Sequence, residues 1–301
     1  MLFSLEAGEW LARSIGVAPS HLKLMRLKGS TSSSIFLVQC SSGPIFDRFV
    51  LRVLDNPAWL VEEPDLAAHE AAALVEARKA GLRAPELAAY ASDDIGFGAP
   101  VVLMSFLEGT IELRPTDVAG WLAGLARELA AIHRHTAPTF NWHYRSWVNQ
   151  AALAPPAWTT QPQLWERAIE RARGVPPDIR PVFIHRDYHP TNVLWRGDTV
   201  SGVVDWINAC QGPAGVDVAH CRTNLVQMFG PAVADQFLAA YLNIADHFDY
   251  DPYWDIDSML DMCLPQPEFY SPWQDFGLEP IPAETLHQRV EAYLESLVAR
   301  L

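Results

Sequence analysis

In the first third of the chain, apolar positions fall into short runs of the strand type. Residues 22–27, 35–39 and 46–54 read as three strands, the third interrupted by Arg52. A stretch rich in Ala, Glu and Leu over 64–80 reads as a helix, with Pro64 at its start and Gly81 at its end. Residues 87–90 and 100–107 add two strands, and residues 5–15 precede the set as an amphipathic helix with Leu5, Trp10, Leu11 and Ile15 apolar. Beyond residue 108 the period is mostly helical. Helices are expected over 117–133, 164–173, 216–229, 231–245, 253–263 and 284–301. The stretches 137–162 and 264–283 are rich in proline and aromatics and read as ordered loops, which often carry binding residues. The pattern predicts an α+β fold in two lobes. A small antiparallel sheet with one main helix occupies residues 1–107, and a larger, mainly helical lobe occupies 108–301.

One β-hairpin interrupts the helical part. Val193-Leu194-Trp195 and residues 200–204 are apolar runs flanking the turn sequence Arg196-Gly197-Asp198-Thr199. His185, Asp187 and Asn192 lie ahead of it and Asp205 at its end, in the H-x-D-x-x-x-x-N … D spacing used for phosphoryl transfer. Facing positions across such a ribbon are roughly 5–8 Å apart. Asn192 and Asp205 are therefore expected to grip one Mg2+ through oxygen, with Asp187 accepting the proton of a substrate hydroxyl.

Composition narrows the partners. The 301 residues are half hydrophobic, enough for a real core, and carry a formal charge of −14. Such acidity disfavours nucleic acid and is compatible with a cationic small molecule. The four cysteines show no zinc spacing and read as reduced thiols of a cytoplasmic protein. Neither a signal peptide nor a membrane span is expected.

Three features fall on the nucleotide side. The turn containing Gly29, Ser30, Thr31 and Ser32 stands where a phosphate-covering loop belongs; it reads equally as an ordinary hairpin turn, having a single glycine. Arg52, mid-strand, needs a partner if buried, and Glu70 on the following helix is the candidate, with Glu76 the weaker one. The pair would position nucleotide phosphates; the alternative is an arginine on a sheet face in water. The backbone of Ser105 and Leu107 could bond an adenine or guanine ring, with Met104 and Phe106 beside it.

Taken together, these stretches resemble the aminoglycoside phosphotransferase family, small-molecule kinases of protein-kinase-like fold. The resemblance rests on Phe49-Val50-Leu51-Arg52, the Glu70 helix, the run 102–109, Leu129-Ala130-Ala131-Ile132-His133, the run 183–194, Gly202-Val203-Val204-Asp205-Trp206 and Gly215-Val216-Asp217-Val218-Ala219. It implies ATP or GTP as donor, Mg2+ on Asn192 and Asp205, Asp187 as base and Arg52–Glu70 as the phosphate-positioning pair. It further implies His185 and Asp217 as supports of the catalytic loop, with His189 a bystander. Arg52 stands where kinases usually have lysine, and Ile207 and Asn208 stand where members often have acidic residues. The family also contains kinases resembling those for macrolides, choline, homoserine and methylthioribose, so the hydroxyl-bearing acceptor stays open. So do ATP versus GTP and the oligomeric state.

The segment 246–261 holds six aspartates and no Lys or Arg, interspersed with aromatics. Asp251, Tyr253, Trp254 and Asp257 are candidates for binding an amino sugar or other cation. A helix start at Asp251-Pro252 followed by a solvated face is the competing account. Two rival functions are a catalytically weak nucleotide-binding protein and a metallohydrolase using His185, Asp187 and His189.

Overall fold

The computed structural model describes residues 4–27, 32–42 and 45–301. Gly29, Ser30 and Thr31 of the expected phosphate turn lie outside them. The chain forms two compact units, Met1–Glu108 with Gly202–Asn208, and Gly109–Ser201 with Ala209–Leu301.

The first unit holds β1 (Leu22–Arg26), β2 (Ser34–Ser42), β3 (Ile45–Val53), β4 (Leu87–Ala91) and β5 (Val101–Ser105), in the antiparallel order β1-β2-β3-β5-β4. Side chains alternate across the sheet. Phe36, Val38, Cys40, Leu51, Val53, Val101 and Leu103 form a buried core with Ala7 and Leu11 of α1 (Leu5–Ile15). Full burial of each large aliphatic is worth roughly 1.5–3 kcal/mol. Helix α1 starts at Ser4, whose hydroxyl accepts from Ala7 N at 3.2 Å, and ends at Gly16 with φ 82°. A short helix α2 (Pro57–Glu62), which the pattern does not announce, is capped by Asn56. Helix α3 (Leu66–Lys79) packs against β4 and β5.

Residues 202–208, expected with the helical lobe, pack in this first unit. Val203 N donates to Arg83 O at 2.7 Å, and Trp206 is fully buried. Gly202 passes so close that an added Cβ would meet Leu107 Cδ1 at 2.5 Å and Arg83 O at 3.0 Å.

The second unit is mainly helical: α4 (Val118–His133), α5 (Pro162–Arg173), α6 (Ala214–Phe229), α7 (Pro231–Leu242), α8 (Pro252–Cys263) and α9 (Ala283–Val298). Helix α6, buried along most of its length, packs against α7, α8 and α9. The strands are short. β6 (Thr110–Ile111) pairs with β8 (Val193–Arg196), which neighbours β9 (Thr199–Val203), giving the expected hairpin across the turn at Gly197. β7 (Val182–Ile184) pairs with β10 (Cys210–Gly212). Among the described residues no helix is long and apolar enough to cross a membrane.

Candidate active site

The loop between β7 and β8 carries His185, Asp187 and Asn192, and Asp217 holds its start. Asp217 lies in the first turn of α6, where a carboxylate suits the helix dipole. Its two oxygens accept the backbone N–H of His185 and of Arg186, each at 2.7 Å. His133 Nε2 stands 3.1 Å from the same carboxylate, and His133 Nδ1 is 2.6 Å from the Tyr241 hydroxyl. These bonds hold Arg186 at φ 72°, a left-handed conformation that costs a non-glycine residue about 1–3 kcal/mol. Burial alone would raise the pKa of Asp217; hydrogen bonding and charge from His133, with help from His185, lower it below the ordinary value. The stability this group supplies is therefore present above the usual aspartate range and lost as pH falls through its depressed value.

His185 is fully buried, its ring edge-to-face with Tyr188, whose hydroxyl donates to Leu125 O at 2.8 Å. It does not join Asp187 and His189, so the ligand trio of the metallohydrolase reading is not formed. His220 of α6 comes instead, with Nε2 3.0 Å from Asp187 Oδ1; His189 Nε2 is 3.5 Å from the same oxygen. Burial pushes the Asp187 carboxyl up, but the charges of, and hydrogen bonds from, His189 and His220 outweigh it and leave it well below the usual range. Asp187 is thus an ionised acceptor at neutral pH, with 27% of its side chain exposed. Asn192 Nδ2 donates to Asp187 O at 2.9 Å and Oδ2 at 3.3 Å. With the nitrogen committed there, the side-chain oxygen of Asn192 is the atom left to offer a hard cation. The sequence reading missed His220, although the Asp217-Val218-Ala219-His220 spacing puts both side chains on neighbouring helical turns.

In the first unit Arg52 and Glu70 are both buried, with Arg52 Nε 3.5 Å from Glu70 Oε2. Arg52 Nη1 also donates to Asp205 Oδ1 at 2.7 Å, an ion pair the sequence did not suggest. Asp205 has φ 67°, a second strained position among the candidate residues. Glu76 pairs with Lys79 at 2.9 Å instead. Burial raises the pKa of Glu70 to about 7, the charge of Arg52 opposing and that of Asp205 adding to it. A raised carboxyl contributes stability below its unfolded value near 4.5 that is lost as pH rises through about 7. Glu70→Gln should therefore gain in melting temperature over the natural protein as pH rises across that window. A constant difference would remove this account of Glu70.

The other nucleotide candidates are differently engaged. Ser32 lies in a half-buried bend. The Ser105 N–H donates to Glu86 O at 2.8 Å, because β5 ends beside that residue. Leu107 follows β5 and lies against Gly202.

The aspartate-rich segment is not one charged face. Asp251 caps α8, accepting from Tyr253 N at 2.8 Å, and pairs with Arg171 at 3.5 Å. Tyr253 is buried in an apolar cluster, with the Arg171 guanidinium 4.6 Å above its ring. Those two are therefore occupied structurally. Trp254 and Asp257 do line a small recess, together with Arg186, His220, Trp147 and Asp261. Arg186 stacks 3.6 Å over Trp147. Asp257 accepts from Tyr144 Oη and Ser146 Oγ at 3.0 Å each, and burial raises the pKa of both Asp257 and Asp261.

Residues 23–254 match the model of the phosphotransferase enzyme family (APH). A homoserine kinase of Mesorhizobium japonicum is 31% identical over 143 residues, covering 41% of either chain. The chain thus spans about two fifths of the length of the curated relatives it matches. Among solved structures, an aminoglycoside phosphotransferase from Ralstonia eutropha, so described provisionally, superposes with a TM-score of 0.63 at 14% identity, covering 99% of this chain and 98% of that one. A thermostable mutant of aminoglycoside phosphotransferase APH(4)-Ia, in ternary complex with ADP and hygromycin B, superposes with a TM-score of 0.58 at 16% identity, covering 98% of each. These likenesses give the fold, which is the protein-kinase-like one. The family match covers well over half of the sequence, and the chain belongs to the phosphotransferase enzyme family.

Proposed function

We propose that this protein is a small-molecule kinase that transfers the γ-phosphoryl group of ATP or GTP to a hydroxyl of a small acceptor. Nucleotide-bound relatives of the same fold support a nucleotide donor. The observation that carries the reading is the Asp187 loop: an ionised, partly exposed carboxylate is fixed beside the Asn192 amide by a backbone clamped to Asp217.

In this proposal the sheet unit binds the nucleotide and the helical unit carries catalysis and the acceptor. Asp187 orients the acceptor hydroxyl and takes its proton. Arg52, held by Glu70, faces phosphate. The carbonyl of Ser105 and the backbone of Leu107 serve the base. Asn192 and Asp205 would hold magnesium, and their oxygen donors fit a hard cation. Bound there, the ion would neutralise charge on the transferring phosphates. His185 and Asp217 keep the loop in place.

The acceptor would sit in the recess beside Asp187, with Asp257 and Trp254 among its contacts. Homoserine-like amino alcohols stand beside aminoglycosides as acceptors to test, since homoserine kinases and aminoglycoside phosphotransferases are both among the similar proteins. The experiment is nucleoside-diphosphate release measured across aminoglycosides, macrolides, amino alcohols and sugars with each donor. Acceptor-dependent release supports the proposal; none with any acceptor, alongside intact nucleotide binding, leaves a nucleotide-binding protein.

Asp205→Ala should abolish magnesium-dependent nucleotide binding, read as loss of the thermal shift that magnesium nucleotide gives the natural protein. An undiminished shift would remove Asp205 from the ligand set.

A further inference from the structure

We propose that Asp187, His189 and His220 form a distinct cation site, suited to a transition metal of the zinc type. Its occupation withdraws Asp187 from phosphoryl transfer; that consequence rests on the kinase reading, the site itself does not.

One carboxylate oxygen and two imidazole nitrogens, all in the helical unit, lie within 4.8 Å of one another. Asp187 Oδ1 is 3.0 Å from His220 Nε2 and 3.5 Å from His189 Nε2. Zinc bonds of about 2.0–2.2 Å, arranged tetrahedrally, set ligand atoms roughly 3.3–3.5 Å apart. The two carboxylate–imidazole separations lie near that; the imidazole nitrogens, within 4.8 Å of each other, would close further on the metal, His189 Nε2 giving up its 3.2 Å contact with Asn192 Nδ2.

The outer shell is also in place. His189 Nδ1 is 2.7 Å from Thr191 Oγ1, which turns Nε2 toward Asp187 and fixes the ring. Side-chain exposures of 27%, 13% and 12% leave the trio open to solvent, which can supply a further ligand, and His220 lines the recess. Two imidazoles with one carboxylate select a borderline metal such as zinc, whereas magnesium prefers oxygen ligands. A carboxylate bound to such a metal no longer offers its lone pair to an acceptor hydroxyl.

The test is a cobalt(II) titration of the full chain in excess magnesium, read by visible absorption. One equivalent should bind with the intense bands of a four-coordinate nitrogen and oxygen site, and zinc should displace it. His220→Gln should weaken binding at least ~10-fold, and Thr191→Val, which touches only the outer shell, about 10–100-fold. Unchanged circular dichroism and melting identify folded variants, and Thr191→Val decides the matter if His220→Gln does not fold. Unaltered affinity in folded variants, or thiolate-to-cobalt charge transfer, would overturn the site. In the second arm, zinc should inhibit phosphoryl transfer by the natural protein at concentrations at least ~10-fold lower than it needs for His220→Gln. Equal sensitivity would overturn the consequence. The absorption arm requires no turnover, so it stands if no acceptor is ever phosphorylated.

Discussion

Asp187→Asn should lower the turnover of phosphoryl transfer by about 10²–10⁴-fold, the usual worth of a positioned proton acceptor. The substitution keeps the shape of the side chain. It also keeps the backbone carbonyl to which Asn192 donates and both clamp bonds to Asp217, so the loop should hold its course. What changes is the acceptor: an amide is not a base, and its nitrogen turns a donor toward the hydroxyl or toward His220. Nucleotide affinity should stay nearly unchanged, because Arg52, Glu70 and Asp205 are untouched. Steady-state kinetics together with nucleotide titration separate the two effects. Full activity in Asp187→Asn would refute the assignment of the base. Because the carboxyl is held well below its ordinary range, no loss of activity from its protonation is expected near neutral pH.

Asp255→Ala should be the most destabilising single replacement considered, costing about 3–5 kcal/mol. Asp255 is buried on α8 and receives the Arg222 guanidinium of α6. It also accepts from Tyr250 Oη at 2.6 Å and Tyr293 Oη at 2.7 Å. Arg222 is fully buried, and its further contacts run to Asp235 at 2.7 Å and Ala234 O at 3.3 Å. Truncating the aspartate leaves a desolvated cation whose remaining carboxylate partner is half-exposed, and it removes the acceptor of two tyrosine hydroxyls. A melting temperature lower by roughly 10 °C follows for a unit of this size. Arg222→Met combined with Asp255→Leu should recover much of the loss, since an apolar pair of similar volume often matches a buried ion pair. Melting of Asp255→Ala within a degree or two of the natural protein would show that the network contributes little.

The sequence carried the elements whose signal is local. Helix α1 spans the residues that the apolar stripe of Leu5, Trp10, Leu11 and Ile15 marks. The hairpin after Asn192 follows its turn residues. What escaped depends on distant partners. β6, β7 and β10 are two or three residues long and are strands only because other segments pair with them. The run of aspartates looked like a charged surface because neighbouring letters cannot reveal that Arg222, thirty-three positions from Asp255, is folded onto it. His220 escaped for the same reason, since its proximity to Asp187 depends on how α6 docks under the loop. The Asp187 and Asn192 spacing was legible because that loop is short, and few backbone paths satisfy it; Asp217, on α6, came only with the family resemblance.

The return of residues 202–208 into the sheet unit has a practical outcome for anyone exchanging parts between such enzymes. A fragment cut after Glu108 would leave behind Trp206, the Val203 amide that bonds Arg83, and the carboxylate that receives Arg52. It would expose hydrophobic surface and misfold or aggregate. A chimera with one crossover inherits mismatched halves of the same packing; grafting the sheet unit requires both pieces of sequence to travel together.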